Sequence, residues 1–149
     1  MLRSPQQLQT EDKAFTPCAQ DRGAIRRWID AAVAKVADSE LQTVSLSTRF
    51  EAVYDAIFNM ALVVLNAQGW KDRGGIPGHH AHVLEGASAV IGASEGLFYR
   101  IDAMRTLRNQ KYDGIARSAG DLEDARRAYE EFSAVAATWL QATHPALLR

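Results

Sequence analysis

Between about Asp21 and Asp38 the apolar residues Ile25, Trp28, Ile29, Ala32, Val33 and Val36 recur at spacings of three and four, with charged residues between them. That period puts them on one face of a helix. A second helix is predicted from Thr48 to Gln68: Thr48 and Glu51 have capping-box spacing, and Gly69 can supply a left-handed C-terminal cap. Its apolar residues Phe50, Val53, Tyr54, Ile57, Phe58, Ala61, Val64 and Leu65 cover more than one stripe, as suits a central helix with several neighbours. Residues Trp70 to Gly78, with Gly74, Gly75 and Pro77, read as a loop. A third helix follows from His79 to Ile91, then a turn over Gly92 to Gly96, then a fourth helix carrying Leu97, Phe98, Ile101, Met104 and Leu107. After a break at Asp113 and Gly114, a fifth helix starts near Asp121, buries Leu122, Ala125, Tyr129, Phe132, Ala136 and Trp139, and stops at Pro145.

Five helical patterns without an alternating strand predict an all-α protein, an antiparallel up-and-down bundle with a four-helix core and an N-terminal helix before it. The third and fourth helices are joined so closely that they must be antiparallel neighbours, which sets the start of the third beside the end of the fourth. Residues 1–19 lack any period and contain Pro5 and Pro17, so they read as a flexible arm; residues 20–149 read as one domain.

Charge narrows the choice of partner. Lys and Arg number 17 against 18 Asp and Glu, a net charge of -1, so the chain has no global attraction for nucleic acid or an anionic membrane, and any such contact needs a local patch. No run approaches the roughly 18 apolar residues of a membrane span, and the first 19 residues lack a signal-peptide core, so a soluble cytoplasmic protein is expected. Cys18 is the single cysteine, which excludes an internal disulfide and a multi-cysteine zinc site. His79, His80 and His82 cluster near Glu85 without an established ligand pattern, so neither a metal nor a cofactor is expected.

The candidate chemistry lies in Arg105-Thr106-Leu107-Arg108-Asn109-Gln110-Lys111-Tyr112. If helical geometry persists through it, Arg105, Arg108, Asn109 and Tyr112 share one side. The two arginines flank the apolar stripe of Ile101 and Met104, so their stems lie on protein and their guanidinium forks reach an edge, where they suit phosphate. The alternative is that these groups pair with Asp102, Asp113 or Asp124 and simply cap the helix and cover the core.

A long helix, a Gly-Gly-Ile-Pro-Gly-His-His loop leading into a helix, and an Arg-Asn pair with a following Tyr at a helix end together make the stretch from about Thr48 to Gln141 resemble a HEPN domain. Many members of that family are metal-independent ribonucleases of defence and toxin–antitoxin systems. Their motif is an Arg, four to six residues, then a His, often with a Tyr after it, and two copies meet across a homodimer cleft. The resemblance implies a homodimer, an RNA or nucleotide ligand at Arg105, Arg108, Asn109, Gln110 and Tyr112, and a nucleotidyltransferase-type partner protein.

The chain departs from the motif at its base. With Arg105 as the motif arginine, Gln110 stands where His is expected and Tyr112 takes the trailing Tyr; with Arg108, the position falls on Tyr112 or Asp113. A ribose 2′-hydroxyl needs a proton acceptor with a pKa near neutrality, a task Gln cannot perform. Hairpin geometry offers a substitute, since His82 counts back to a position opposite Arg105 and His79 to one opposite Arg108. Three functions therefore stand from the sequence: a non-catalytic binding module for nucleotide, RNA phosphate or a partner protein; a metal-independent ribonuclease whose base has moved to His79, His80 or His82; and a dimerisation module in which the arginines are structural.

Overall fold

The computed structural model describes all 149 residues. Six α-helices run α1 (Pro5–Asp12), α2 (Arg22–Ser39), α3 (Leu46–Ala67), α4 (His79–Ile91), α5 (Glu95–Asn109) and α6 (Ala119–Thr143), with two short strands β1 (Phe15–Pro17) and β2 (Trp70–Asp72). The chain is 73% helical, an all-α bundle. Helix α3 packs against α2, α4, α5 and α6 at once. Phe50, Val53, Tyr54, Ile57, Ala61, Val64 and Leu65 enter the main core from it, while Val63 and Ala67 join Ile25, Leu140 and Leu147 in a smaller cluster. It is the one helix long and apolar enough to cross a membrane, and 72% of its apolar window is buried inside the bundle, as in the core helix of a folded domain.

Local chemistry sets the helix ends. Ser45 caps α3, accepting from the Thr48 amide, so the helix starts before Thr48 and the expected Thr48–Glu51 box does not form. Glu51 is thereby left free to reach α5. Asp21, Ser94 and Ser118 cap α2, α5 and α6, the last as a reciprocal box with Asp121. Gly78 holds φ +77 immediately before α4, a left-handed conformation that glycine adopts freely. At the other end of α2, the buried Arg49 donates from Nε to the Ser39 carbonyl at 2.8 Å, satisfying an acceptor that the helix leaves open.

Two expectations need correction. The first 19 residues are not a flexible arm: they form α1 and β1, and Leu8 and Phe15 are fully buried in the main core. Nor is Trp70–Gly78 loop throughout, because β2 pairs antiparallel with β1, Phe15 opposite Asp72 and Pro17 opposite Trp70. A helix of eight residues and a strand of three are too short for a periodic signal; they form because Leu8 and Phe15 find apolar partners across the fold. The side chain of Phe15 lies so close to α4 that a β-carbon at Gly86 would sit 3.1 Å from its ring. Arg3 completes the attachment, donating from its backbone amide and its guanidinium to Glu85 at 2.8–3.1 Å.

The N-terminal segment is thus part of the core. Phe15→Ala should lower the unfolding free energy by roughly 3–5 kcal/mol, read from urea denaturation. An unchanged midpoint would mean that the segment is not docked in solution.

Candidate functional site

The start of α4 does lie beside the end of α5, as the short α4–α5 turn requires, and α3 passes behind both. Tyr54 and Phe58, four residues apart on α3, present their rings to that junction. Tyr54 is 1% exposed, and its hydroxyl hydrogen-bonds His80 Nδ1 at 3.1 Å. The His80 ring stacks on Phe58 with centroids 4.3 Å apart, and His79 meets His80 edge-on at 4.6 Å. The Arg108 guanidinium lies over the Tyr54 ring, 5.3 Å from its centroid, a cation–π arrangement. One small cluster therefore gathers side chains from α3, α4 and α5.

Its electrostatics follow from burial and two cations. Desolvation pushes the Tyr54 phenol well above its ordinary range, against the opposing pull of Arg108 and Arg105, so it stays protonated. The same cause lowers His80, and His79, Arg108 and Arg105 add to it while Asp72 opposes. His80 is accordingly neutral at pH 7. A phenol is a far stronger acid than a neutral imidazole N–H, so Tyr54 is the better donor in their shared bond, which puts the His80 ring proton on Nε2.

Ion pairs sort the cations. Arg105 Nε donates to Asp102 at 3.0 Å, Lys111 pairs with Glu51, and Arg117 reaches Gln110 Oε1 at 2.6 Å and Asp121 at 3.5 Å. Arg108 is left over. Its Nε is buried without a hydrogen bond, and the one carboxylate within reach, Glu51, is 3.8 Å away and already held by Lys111. Arg108, Lys111 and Arg117 line one shallow notch with Ser47, Glu51 and Ile115; Arg117 has Asp121, so Arg108 and Lys111 are left to share the single carboxylate of Glu51.

Of the residues singled out in the sequence, Arg105 and Arg108 reach this cluster, and the histidine that joins them is His80. His82 points away: its Nε2 binds Asp12 of α1 at 3.0 Å. His79 turns to Asp72 of β2, Nδ1 to carboxylate 2.8 Å. Gln110 and Tyr112 do not share the arginines' side, whereas Asn109, still within α5 and four residues after Arg105, does. Helix α5 ends at Asn109 and tightens into a 3-10 turn, Gln110–Asp113, which advances more degrees per residue and swings its side chains off the α-helical face. Gln110 consequently serves Arg117, Asn109 is exposed, and Tyr112 is 77% exposed over Lys111.

Sequence reasoning misses Tyr54, Phe58, Glu51 and Asp72 as site residues. Tyr54 and Phe58 belong to the apolar stripe of α3, although a phenol in a core position always needs a polar partner and in that sense announces one. Asp72 falls in a segment that reads as loop, and Glu51 has the spacing of a cap that Ser45 supplies instead.

No protein-family model matches this chain, and no curated protein or solved structure matches it either.

Because folding lowers the His80 pKa below its ordinary 6.5, the unfolded chain takes up that proton first. Stability from this group is intact above 6.5, falls as pH drops through it, and levels off below the lowered folded value. His80→Gln should therefore lose less stability than wild type on acidification from about pH 7.5 to 5, measured as the difference between their denaturation midpoints. Parallel pH curves would mean that His80 is not desolvated.

Proposed function

We propose that this chain is a HEPN-like module that binds a phosphate of RNA or of a nucleotide through Arg108 without cutting it. The observation that carries the reading is the state of Arg108: a guanidinium half-buried on the Tyr54 ring, in a group of cations that outnumbers the carboxylates paired with them, and with no hydrogen-bond acceptor for its Nε. A phosphate oxygen supplies what is missing, at the strength of a charge-assisted bond. Arg105, on the same side of α5, adds positive potential while its fork stays with Asp102.

Binding is favoured over cleavage by the protonation of His80. With Nδ1 accepting from Tyr54 and Nε2 carrying the proton, the ring is a donor to an anion, and its lowered pKa makes it a poor proton acceptor. The chain's net charge of -1 fits a ligand held at one point better than a long nucleic acid gripped along its backbone. A homodimer, with a nucleotidyltransferase-type protein as partner, belongs to the same reading by resemblance.

One observation favours the ribonuclease alternative. Asp72 holds His79 by Nδ1, the arrangement that orients an imidazole and leaves its Nε2 as a base. The two readings separate cleanly in a fluorescence-anisotropy titration of short RNA and of ATP, run in chelator with a parallel gel for cleavage. The binding module predicts saturable binding, intact RNA, and an affinity loss of roughly 10- to 100-fold in Arg108→Ala, the worth of one or two charge-assisted hydrogen bonds. Cleavage that disappears in His79→Gln would replace this reading with the ribonuclease. Equal affinities for wild type and Arg108→Ala would remove Arg108 as the ligand.

A further inference from the structure

A concavity away from the Arg108 cluster lies behind β2, between the start of α2 and the end of α3. It encloses about 500 Å³, within the range of small-molecule sites. Its floor is Leu62, Leu65 and Ala24, and two half-buried indoles, Trp28 from α2 and Trp70 from β2, stand in its walls. Cys18, Asn66 and Asp21 supply polar groups at one end. None of these residues belongs to the Arg108 cluster.

The walls are tied in place by hydrogen bonds that cross from the β1–α2 connection to the end of α3. The Cys18 amide donates to the Gly69 carbonyl at 2.8 Å, Gln20 Nε2 to the Ala67 carbonyl at 2.7 Å, and the Asp21 amide to Asn66 Oδ1 at 2.8 Å. Gly69, at φ +94, lets the Cys18 carbonyl come within 3.4 Å of where its β-carbon would stand. The connection is therefore fixed at a set height above α3, so the space between the indoles is preformed and entry of a ligand costs little ordering.

The chemistry of the lining defines the guest. Two indoles in the lining suit a flat conjugated ring and, through their quadrupoles, favour one that carries positive charge. Asp21 adds to that preference: one oxygen caps the Ala24 amide at 2.9 Å, and no cation of the protein lies within ion-pair distance of the carboxylate. Asp72, the other acid of the lining, is already engaged by the Gly74 amide and His79. Lys71 is exposed at the rim, its ammonium free to stay in water. We infer that the Trp28–Trp70 pocket is a binding site for a small planar aromatic molecule of one or two rings bearing a basic amine, stacked on the indoles with its ammonium toward Asp21.

Cys18, the chain's single cysteine, lines the pocket and provides a local reporter. The rate of its alkylation by iodoacetamide is measured on the full chain with increasing tryptamine, and with indole-3-propionate, which has the same ring and the opposite charge. Tryptamine should slow alkylation saturably, about tenfold at roughly ten times its Kd, and indole-3-propionate should protect much less. Asp21→Asn keeps a good helix cap while removing the charge, and should weaken tryptamine protection; Leu62→Trp, which fills the floor, should abolish it. An alkylation rate unmoved by millimolar tryptamine would overturn the site. Equal protection by both probes, or undiminished protection in Asp21→Asn, would overturn its selectivity for a basic amine.

Discussion

Helix α3 is apolar around most of its circumference, with thirteen of its 22 residues buried. A helix of that kind has no stable position at a surface, because each apolar side left in water forfeits about 25 cal/mol for every Å² not buried. It has to be enclosed, and four helices enclose it. The bundle, the antiparallel α4–α5 pair laid along it and the docking of the N-terminal segment at α4 all follow from that requirement. Leu8 and Phe15 close a part of the core that the longer helices leave open.

The same requirement generates the chemistry. Tyr54 lies on the central helix, so its hydroxyl is carried into a low-dielectric region where an unpaired polar group is costly, and it is answered by His80. His80 stacks on Phe58 beside Tyr54 and stays neutral, and Arg108 covers the Tyr54 ring. A cation over an aromatic face, next to a neutral imidazole and short of a carboxylate, is a poor contributor to stability but a ready receiver of an anion. This imbalance distinguishes Arg108 from Arg105, which has the same residue type and a neighbouring position on α5 but a firm partner in Asp102.

The Arg108 cluster and the pocket behind β2 differ in chemistry. At the α3–α4–α5 junction the available group is a cation, and the guest it suits is anionic. Behind β2 the available groups are indoles and a carboxylate that forms no ion pair, and the guest they suit is a flat amine. Asp72 stands between them: it lines the pocket behind β2 and holds His79, which touches His80 at the junction. The β1–β2 pairing that positions Asp72 is therefore shared by both regions, although it is the smallest element of regular structure in the chain.

The long helices were legible in the sequence because each buries a continuous stripe, and a stripe repeated over three or more turns is a signal that one residue cannot erase. His79 as the first residue of α4 and the adjacency of α4 with the end of α5 were legible for the same reason, aided by a turn too short to allow anything else. The pair Arg105 and Arg108 was also legible as candidate chemistry. Three things were decided only by tertiary structure. Helix α1 carries a local start signal, the Ser4–Gln7 capping box with Pro5 in its first turn, but it is too short to show a period, and both it and strand β1 are held by contacts far away in sequence. Which histidine meets the arginines depends on the rotation of α4 about its own axis, set by the packing of Val83, Leu84 and Ala87 on α3 and not by their order in the chain. Which arginine is left without an acid depends on the distances from Asp102 and Glu51, and a sequence records that charges balance without recording which of them meet.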